Sequence, residues 1–317
     1  MTEQPLLSVV VPVYKNEASI AALIDALGAL VPRLAGELEC VFVVDGSPDA
    51  SASVLAERLR SAPFRSQLVV HARNFGSFAA IRTGLAHGTG RFLGVMAADL
   101  QEPPELMIGF VERLEAGDVQ VVVGERVSRD GDRRLDRGAS SLYWRAYRKF
   151  VMPAIPEGGI DVFACTAAVR DQLLELRESH SSLVGLLLWL GHPYGTVPYE
   201  RRERADGGRS AWTLRRKITY MSDSVFSFTD LPLRIVRTIG LVGLLFSLTG
   251  TVVVGAAWWR GSIKVPGYTP LIMAMLVSTM LVVSALGIVG SYVWRAFENT
   301  KARPLSVVAS VERFGYD

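Results

Sequence analysis

Cysteine is nearly absent from this 317-residue chain, with Cys40 and Cys165 the only two. They form no Cys-x-x-Cys spacing, so neither a zinc cluster nor a disulfide framework is expected, and both read as reduced, buried thiols. An excess of one charge is also lacking. Lys and Arg number 34 against 31 Asp and Glu, a net charge of +3 without a basic block, which argues against a nucleic-acid partner. The N-terminal stretch MTEQPLLSVVVPVYKNE has no basic flank and too short an apolar run for a secretory signal, so the N-terminal part is expected in the cytoplasm. Tandem repeats and low-complexity tracts are missing as well.

Apolar residues, by contrast, make up 50% of the chain and are concentrated after residue 235. Ile239 to Trp259 is a run of 21 residues without a charge, and Pro270 to Trp294 a run of 25. Each is long enough to cross the roughly 30 Å hydrocarbon layer of a bilayer, so two transmembrane helices are expected at about 239–259 and 270–294. Trp258, Trp259, Tyr292 and Trp294 close the two runs, where amphipathic rings prefer the interface. Arg234 and Arg237 precede the first run, and Arg295, Lys301 and Arg303 follow the second, which puts both chain ends on the cytoplasmic side. Segment 213–234 mixes Arg215, Arg216 and Lys217 with apolar residues. It reads either as an interfacial helix or as an amphipathic helix packed on the soluble domain. The expected division is a soluble domain over 1–212, this segment over 213–234, the two spans within 235–296, and a cytoplasmic tail over 297–317.

Within the soluble part, Leu7 to Val13, Cys40 to Asp45, Gln67 to His71, Phe92 to Ala97 and Val119 to Val123 are short β-branched runs. Helix-like segments alternate with them: Ala18 to Leu30, Ala50 to Leu59, Phe78 to Ala86 and Glu105 to Leu114. That alternation predicts an α/β fold with a mostly parallel, doubly wound sheet. Ligands bind such sheets at the carboxyl ends of the strands. The polar turns fall there: Tyr14 to Glu17, Asp45 to Asp49, Arg73 to Gly76 and Asp99 to Gln101.

These turns suit a nucleoside diphosphate sugar. A strand-end carboxylate can hold a divalent cation that bridges two phosphates, and Asp99 is the candidate, with Gln101 as a neutral oxygen neighbour. The alternative is that Asp99 merely caps the helix entered through Pro103 and Pro104. Asp45 precedes a tight Gly46-Ser47 turn and is a candidate for base or ribose contact; Arg73 is a candidate for the nucleotide. Arg201, Arg202, Arg204 and Arg209 form a basic cluster suited to a donor diphosphate, to a lipid phosphate, or to general attraction by anionic lipid. Asp161 stands as a general base or as a turn-ordering residue.

The ordered set VVVPVYKNE, VVDGSPD, RNFG, ADLQEPPE, the Asp161 segment and Gly-Arg-Ser-Ala-Trp resembles the family 2 glycosyltransferases. More narrowly, it is similar to their polyprenyl-phosphate branch, typified by dolichol-phosphate mannose synthase and undecaprenyl-phosphate sugar transferases. The resemblance implies a Rossmann-like GT-A nucleotide-sugar domain followed by two transmembrane helices. It implies inverting transfer from a UDP- or GDP-linked sugar to the phosphate of a membrane polyprenyl carrier, with Mg²⁺ or Mn²⁺, at the cytoplasmic face of the inner membrane. Pro12, Tyr14, Glu17, Asp45, Arg73, Ala98 and Asp99 would line the nucleotide-sugar pocket, and Asp99 and Gln101 would hold the metal. Asp161 and Asp99 would be the catalytic carboxylates, with Arg201, Arg202, Arg204, Arg209 and Ser210 at the phosphates.

Three positions depart from that pattern. Val44 replaces the first acid of Asp-Asp-Gly-Ser, Ala97 the first acid of Asp-Ala-Asp, and Ala211 the lysine of Gly-x-Ser-Lys-Tyr. The first leaves the base-reading carboxylate missing, and the second leaves the metal with one acid fewer. Two rival readings are a processive polysaccharide synthase, which the absence of Gln-x-x-Arg-Trp disfavours, and a noncatalytic nucleotide-sugar or lipid-binding protein. Gly240, Gly243, Ser247 and Gly250 suit close helix packing, within one chain or in a homo-oligomer.

Overall fold

A computed structural model of the protein describes residues 4–35, 37–127, 148–149, 155, 160–178, 181–202, 229, scattered positions between 235 and 260, and 268–316. Eight strands form one mixed sheet: β1 (Leu7–Val13), β2 (Leu38–Val44), β3 (Arg65–His71), β4 (Phe92–Val95), β5 (Val121–Arg126), β6 (Phe163–Thr166), β7 (Tyr194–Tyr199) and β8 (Val308–Phe314). Their order is β7-β5-β6-β4-β1-β2-β3-β8. The helices are α1 (Ile20–Gly28), α2 (Ser51–Arg58), α3 (Ser77–His87), α4 (Leu106–Glu115), α5 (Ala167–Glu175), α6 (Leu183–Trp189) and α7 (Tyr268–Thr300).

The centre of the sheet is parallel, β4-β1-β2-β3, with helical crossovers. Both faces of these strands are covered, which is why β1 reads as an unbroken apolar run rather than an alternating one. Val9, Val11 and Val13 face one buried cluster with Leu23, Leu27 and Phe110, whereas Val10 joins Val41, Val43 and Val69 on the other. Helix α3 lies so close to β1 that a Cβ on Gly84 would stand 2.2 Å from Val10 Cγ1.

Strand β6 runs antiparallel to β4, with Val95 opposite Phe163. The residues that precede β6 therefore share a rim with those that follow β4, and Asp161 is carried to the turn that holds Asp99. Strand β7 pairs parallel to β5 and ends at Tyr199, bringing Arg201 to the same rim.

The expected strands and helices of the first 115 residues appear with ends displaced by a few residues. Segment 297–317 is more than a tail. Helix α7 continues to Thr300, and the chain then returns to add β8 antiparallel to β3. The VASVERF pattern was hidden by its position after a long apolar run.

The second expected span, 270–294, lies inside the 33-residue α7. Among the described residues one helix is long and apolar enough to cross a membrane, with its window at Leu281–Thr300. None of that window is buried by protein, and Val283, Leu286 and Val293 are all more than 60% exposed. A core helix of a soluble protein would hide such a surface. The first expected span, 239–259, and segment 213–234 lie largely outside the described residues.

Candidate active site

Four turns at the carboxyl ends of the parallel strands are stitched into one rim. After β1, the Lys15 amide donates to Ser47 Oγ at 2.8 Å, and the Glu17 amide to Asp49 Oδ2 at 3.3 Å. Glu17 in return accepts the Ala50 N–H at 3.1 Å, just ahead of α2. Ser19 Oγ donates to the Ala98 carbonyl at 2.9 Å, tying the first turn to the fourth. Pro12 and Tyr14 are half-buried beside this seam, and Ala98 is buried within it.

Asp45 sits buried at the end of β2. Its carboxylate accepts the Phe75 and Gly76 amides at 2.8 and 2.7 Å and faces His71 Nδ1 at 2.9 Å. Three internal partners occupy the side chain expected to touch base or ribose; what it visibly does is hold the Arg73–Gly76 turn. Gly46 is required beside it. Its φ is +56°, and a Cβ there would come within 2.3 Å of the Arg73 carbonyl carbon. Arg73 is exposed and its guanidinium lies 4.0 Å from the Phe75 ring centroid, a stacked arm at the rim.

Two non-glycine residues at this rim adopt left-handed backbone, Lys15 with φ 59° and Leu100 with φ 55°. Such conformations cost about 1 kcal/mol or more and concentrate where a turn must aim neighbouring groups. Leu100 is anchored by its apolar side chain against the core, and it separates Asp99 from Gln101. The Gln101 amide donates to Asp99 Oδ1 at 3.3 Å.

Around Asp99 the structure brings together Gln101, Glu102, Asp161, Tyr199 and Arg201. Arg201 Nη2 donates to Gln101 Oε1 at 2.7 Å, and its Nε lies 4.0 Å from Glu102 Oε1. Tyr199 Oη donates to Asp161 Oδ2 at 3.3 Å. Arg202 diverges: its amide donates to the Gln101 carbonyl at 2.8 Å, but its side chain turns to Glu105. Arg204, Arg209 and Ser210 lie outside the described residues.

Glu102 is the residue that sequence reasoning passed over, although it stands in the quoted ADLQEPPE. It is only 3% exposed, and its Oε2 has no hydrogen-bond partner. Among the described residues four buried side-chain atoms lack a partner, and this one alone belongs to an ionisable group. Burial, followed by the negative charges of Asp161 and Asp99, pushes its carboxyl up to about 7. Burial, followed by the negative charges of Asp161 and Glu102, raises the Tyr199 phenol as well. Three carboxyl groups, Asp99, Glu102 and Asp161, are thus gathered beside the Arg201 guanidinium, an arrangement that favours a bound cation.

Among the described residues no group of three or more His, Cys, Asp or Glu side chains is placed to hold a metal ion by itself. Asp99 and Gln101 offer hard oxygen donors of the kind Mg²⁺ and Mn²⁺ take, and both metals commonly complete their shell with substrate phosphate oxygens.

The glycosyl transferase family 2 pattern matches residues 8–177, from β1 into the segment after α5. The chain belongs to this family. Its relatives include a Bacillus subtilis (strain 168) protein described as the uncharacterized glycosyltransferase YkcC, 30% identical over 305 residues, covering 95% of this chain and 92% of that one. The prophage bactoprenol glucosyl transferase homolog of Escherichia coli (strain K12) is 29% identical over 314 residues, covering 97% and 99%. The crystal structure of mannosyl-3-phosphoglycerate synthase from Rubrobacter xylanophilus shares the fold at a TM-score of 0.51 and 17% identity, covering 84% of this chain and 80% of that one. The mixed α/β sheet is therefore that of a GT-A-like glycosyltransferase, as the motif order implied.

Proposed function

We propose that this glycosyltransferase moves a sugar, with inversion, from a nucleotide-sugar donor to the phosphate of a membrane polyprenyl carrier. The observation that carries this reading is end-to-end similarity to a bactoprenol glucosyl transferase homolog, which extends through the unburied apolar helix α7. A lipid-borne acceptor and a membrane-tethered catalytic rim belong together.

In this reading the donor lies across the four turns. Pro12, Tyr14 and Glu17 flank the nucleoside, and Arg73 reaches it from the stacked arm. Asp45 contributes by fixing that arm, and Ala98 by supplying the floor. Asp99 and Gln101 would hold Mg²⁺ or Mn²⁺, which when bound would neutralise the diphosphate. Arg201, released from Gln101, supplies further positive charge to the departing diphosphate. The acceptor phosphate is ionised near neutral pH, so it attacks without a strong base, and positioning accounts for much of the rate. Asp161 stands where the reacting sugar would lie, with Tyr199 holding its orientation. Arg204, Arg209 and Ser210 would meet the phosphates at the membrane surface. The proposed topology is two spans, at about 239–259 and 270–294, with the catalytic domain over 1–212 in the cytoplasm and segment 213–234 at the interface.

The test is direct. Purified full-length protein in detergent is incubated with polyprenyl phosphate and labelled UDP- and GDP-sugars, with and without Mn²⁺. Label is expected in the organic phase as a single-sugar lipid. Long aqueous polymer would instead identify a processive synthase, and donor binding without turnover a noncatalytic protein.

A further inference from the structure

A line of polar side chains, buried from Thr83 to Asp45, joins the C-terminal segment to the rim. Ser306 Oγ lies 2.8 Å from Thr83 Oγ1, Thr83 Oγ1 2.9 Å from His71 Nε2, and His71 Nδ1 2.9 Å from Asp45 Oδ1. His71 and Asp45 are each 2% exposed and Thr83 7%. The Asp45 carboxylate only accepts, so Nδ1 carries the imidazole proton. His71 Nε2 shares the next hydrogen bond with Thr83 Oγ1, and Thr83 Oγ1 shares the one beyond it with Ser306 Oγ. The series thus runs from Ser306 through Thr83 and His71 and ends on the carboxylate that holds the Phe75 and Gly76 amides. Hydrogen bonds in such a chain polarise one another, so the last is strengthened by the first. The imidazole also meets the Phe75 ring edge-on, with centroids 5.5 Å apart, and Phe75 in turn supports the Arg73 guanidinium.

The far end of this line is anchored by the chain that leaves α7. That helix ends at Thr300, Val307 O accepts the Ala72 amide at 2.9 Å, and β8 begins at Val308. At the other end of β8, the Tyr316 hydroxyl donates to the buried Glu39. The segment is thereby pinned at both ends of β8.

We infer that His71 is a positioning residue for the donor turn Arg73–Gly76, and that the C-terminal segment seats it through Ser306 and Thr83. The inference rests on the proposed binding of a nucleotide sugar at this rim. It gives β8 a part in donor binding although the strand stands outside the rim.

The experiment uses full-length protein in detergent and the variants Thr83→Val, Thr83→Ser and Ser306→Ala. Amide hydrogen exchange at Phe75 and Gly76 is measured alongside the donor KM, the acceptor KM and kcat. Thr83→Val removes a hydroxyl between the ring and Ser306 and should speed exchange at both amides by about five-fold, the scale of one lost hydrogen bond. The donor KM should rise by a similar factor while the acceptor KM and kcat change less than about two-fold. Ser306→Ala should act in the same direction more weakly, and Thr83→Ser should restore wild-type exchange and KM. Exchange unchanged in both Thr83→Val and Ser306→Ala would overturn the relay. Faster exchange with an unaltered donor KM would overturn its role in donor binding, as would melting-temperature loss alone. If no donor is turned over even by the wild type, the functional reading fails, while the exchange measurement still decides whether the relay exists.

Discussion

Two glutamates lie buried at opposite ends of the same sheet, and they are treated in opposite ways. Glu39, near the start of β2, is fully buried and accepts from the Ser8 and Tyr316 hydroxyls, from Gln67 Nε2 at 2.9 Å and from the Thr89 amide at 2.7 Å. Burial raises its carboxyl, but these four donors outweigh it and leave the group below its ordinary value. Glu102, beyond the carboxyl end of β4, is almost as buried, has one oxygen without a donor and sits near two further acids. A buried charge met by donors is a structural joint. One left unmet, beside like charges, is tolerated where a ligand completes it.

The sharpest way to break that contrast is at the carboxyl rim. Asp99→Asn keeps the shape of the turn and the acceptor for the Gln101 amide while removing the charge expected to hold the cation. Sugar transfer is expected to fall by about 100-fold or more, the scale of losing a preorganised electrostatic contact, without a change in thermal stability beyond about 1 kcal/mol. Full activity in the organic-phase assay would remove the metal assignment.

The converse holds at the amino end. Glu39→Gln places an amide N–H₂ among four donors, so at least one hydrogen bond is replaced by a donor–donor clash. The cost is expected to be about 3 kcal/mol in chemical denaturation, with transfer per folded molecule retained. The acid limb should flatten too. Because the folded carboxyl lies below its unfolded value near 4.5, its stabilisation is present above that pH and is lost as the pH falls through the folded value.

What the sequence disclosed of this contrast is uneven, for physical reasons. Doubly covered strands leave unbroken apolar runs, so β1 to β4 and the turns after them could be placed, and with them Asp45, Arg73, Asp99 and Gln101. Arg201 stands out only as part of a basic cluster and Asp161 only as an isolated carboxylate, and the antiparallel β6 that carries Asp161 to the rim leaves no such pattern at four residues long. The donors to Glu39 come from residues 8, 67, 89 and 316, separations that no local periodicity encodes. Burial of Glu102 is likewise decided by what packs over it. Asp45 was placed correctly at the rim, but its partners, the 75 and 76 amides, become visible only once β2 and β3 pair.

Glu102→Gln sharpens the same comparison with the opposite sign. A folded carboxyl held near 7, against about 4.5 unfolded, contributes stability below the unfolded value and loses it as the pH rises from about 4.5 to about 7. The neutral amide escapes that loss. Without donor or divalent cation, the variant should therefore gain on the wild type between pH 5 and pH 8 by an amount on the order of 2 kcal/mol. Equal differences at the two pH values would mean that solvent already relieves the charge.

The smallest effects come from a matched pair of tyrosines, one at each end. Tyr316 donates to Glu39 and Tyr199 to Asp161 at 3.3 Å, and each loses only a hydroxyl on substitution by phenylalanine. Tyr316→Phe withdraws one of four donors from a charge that cannot reach water, so it should cost about 1–2 kcal/mol of stability and leave KM and kcat within about two-fold. Tyr199→Phe withdraws a long hydrogen bond from an exposed carboxylate that water can solvate instead. It should leave stability within about 0.5 kcal/mol and lower kcat by about three-fold through looser orientation of Asp161. Denaturation and steady-state transfer on both variants separate the two ends. Stability should respond at the amino end and turnover at the carboxyl end, and a crossed result would show that the sheet does not divide structure from chemistry in this way.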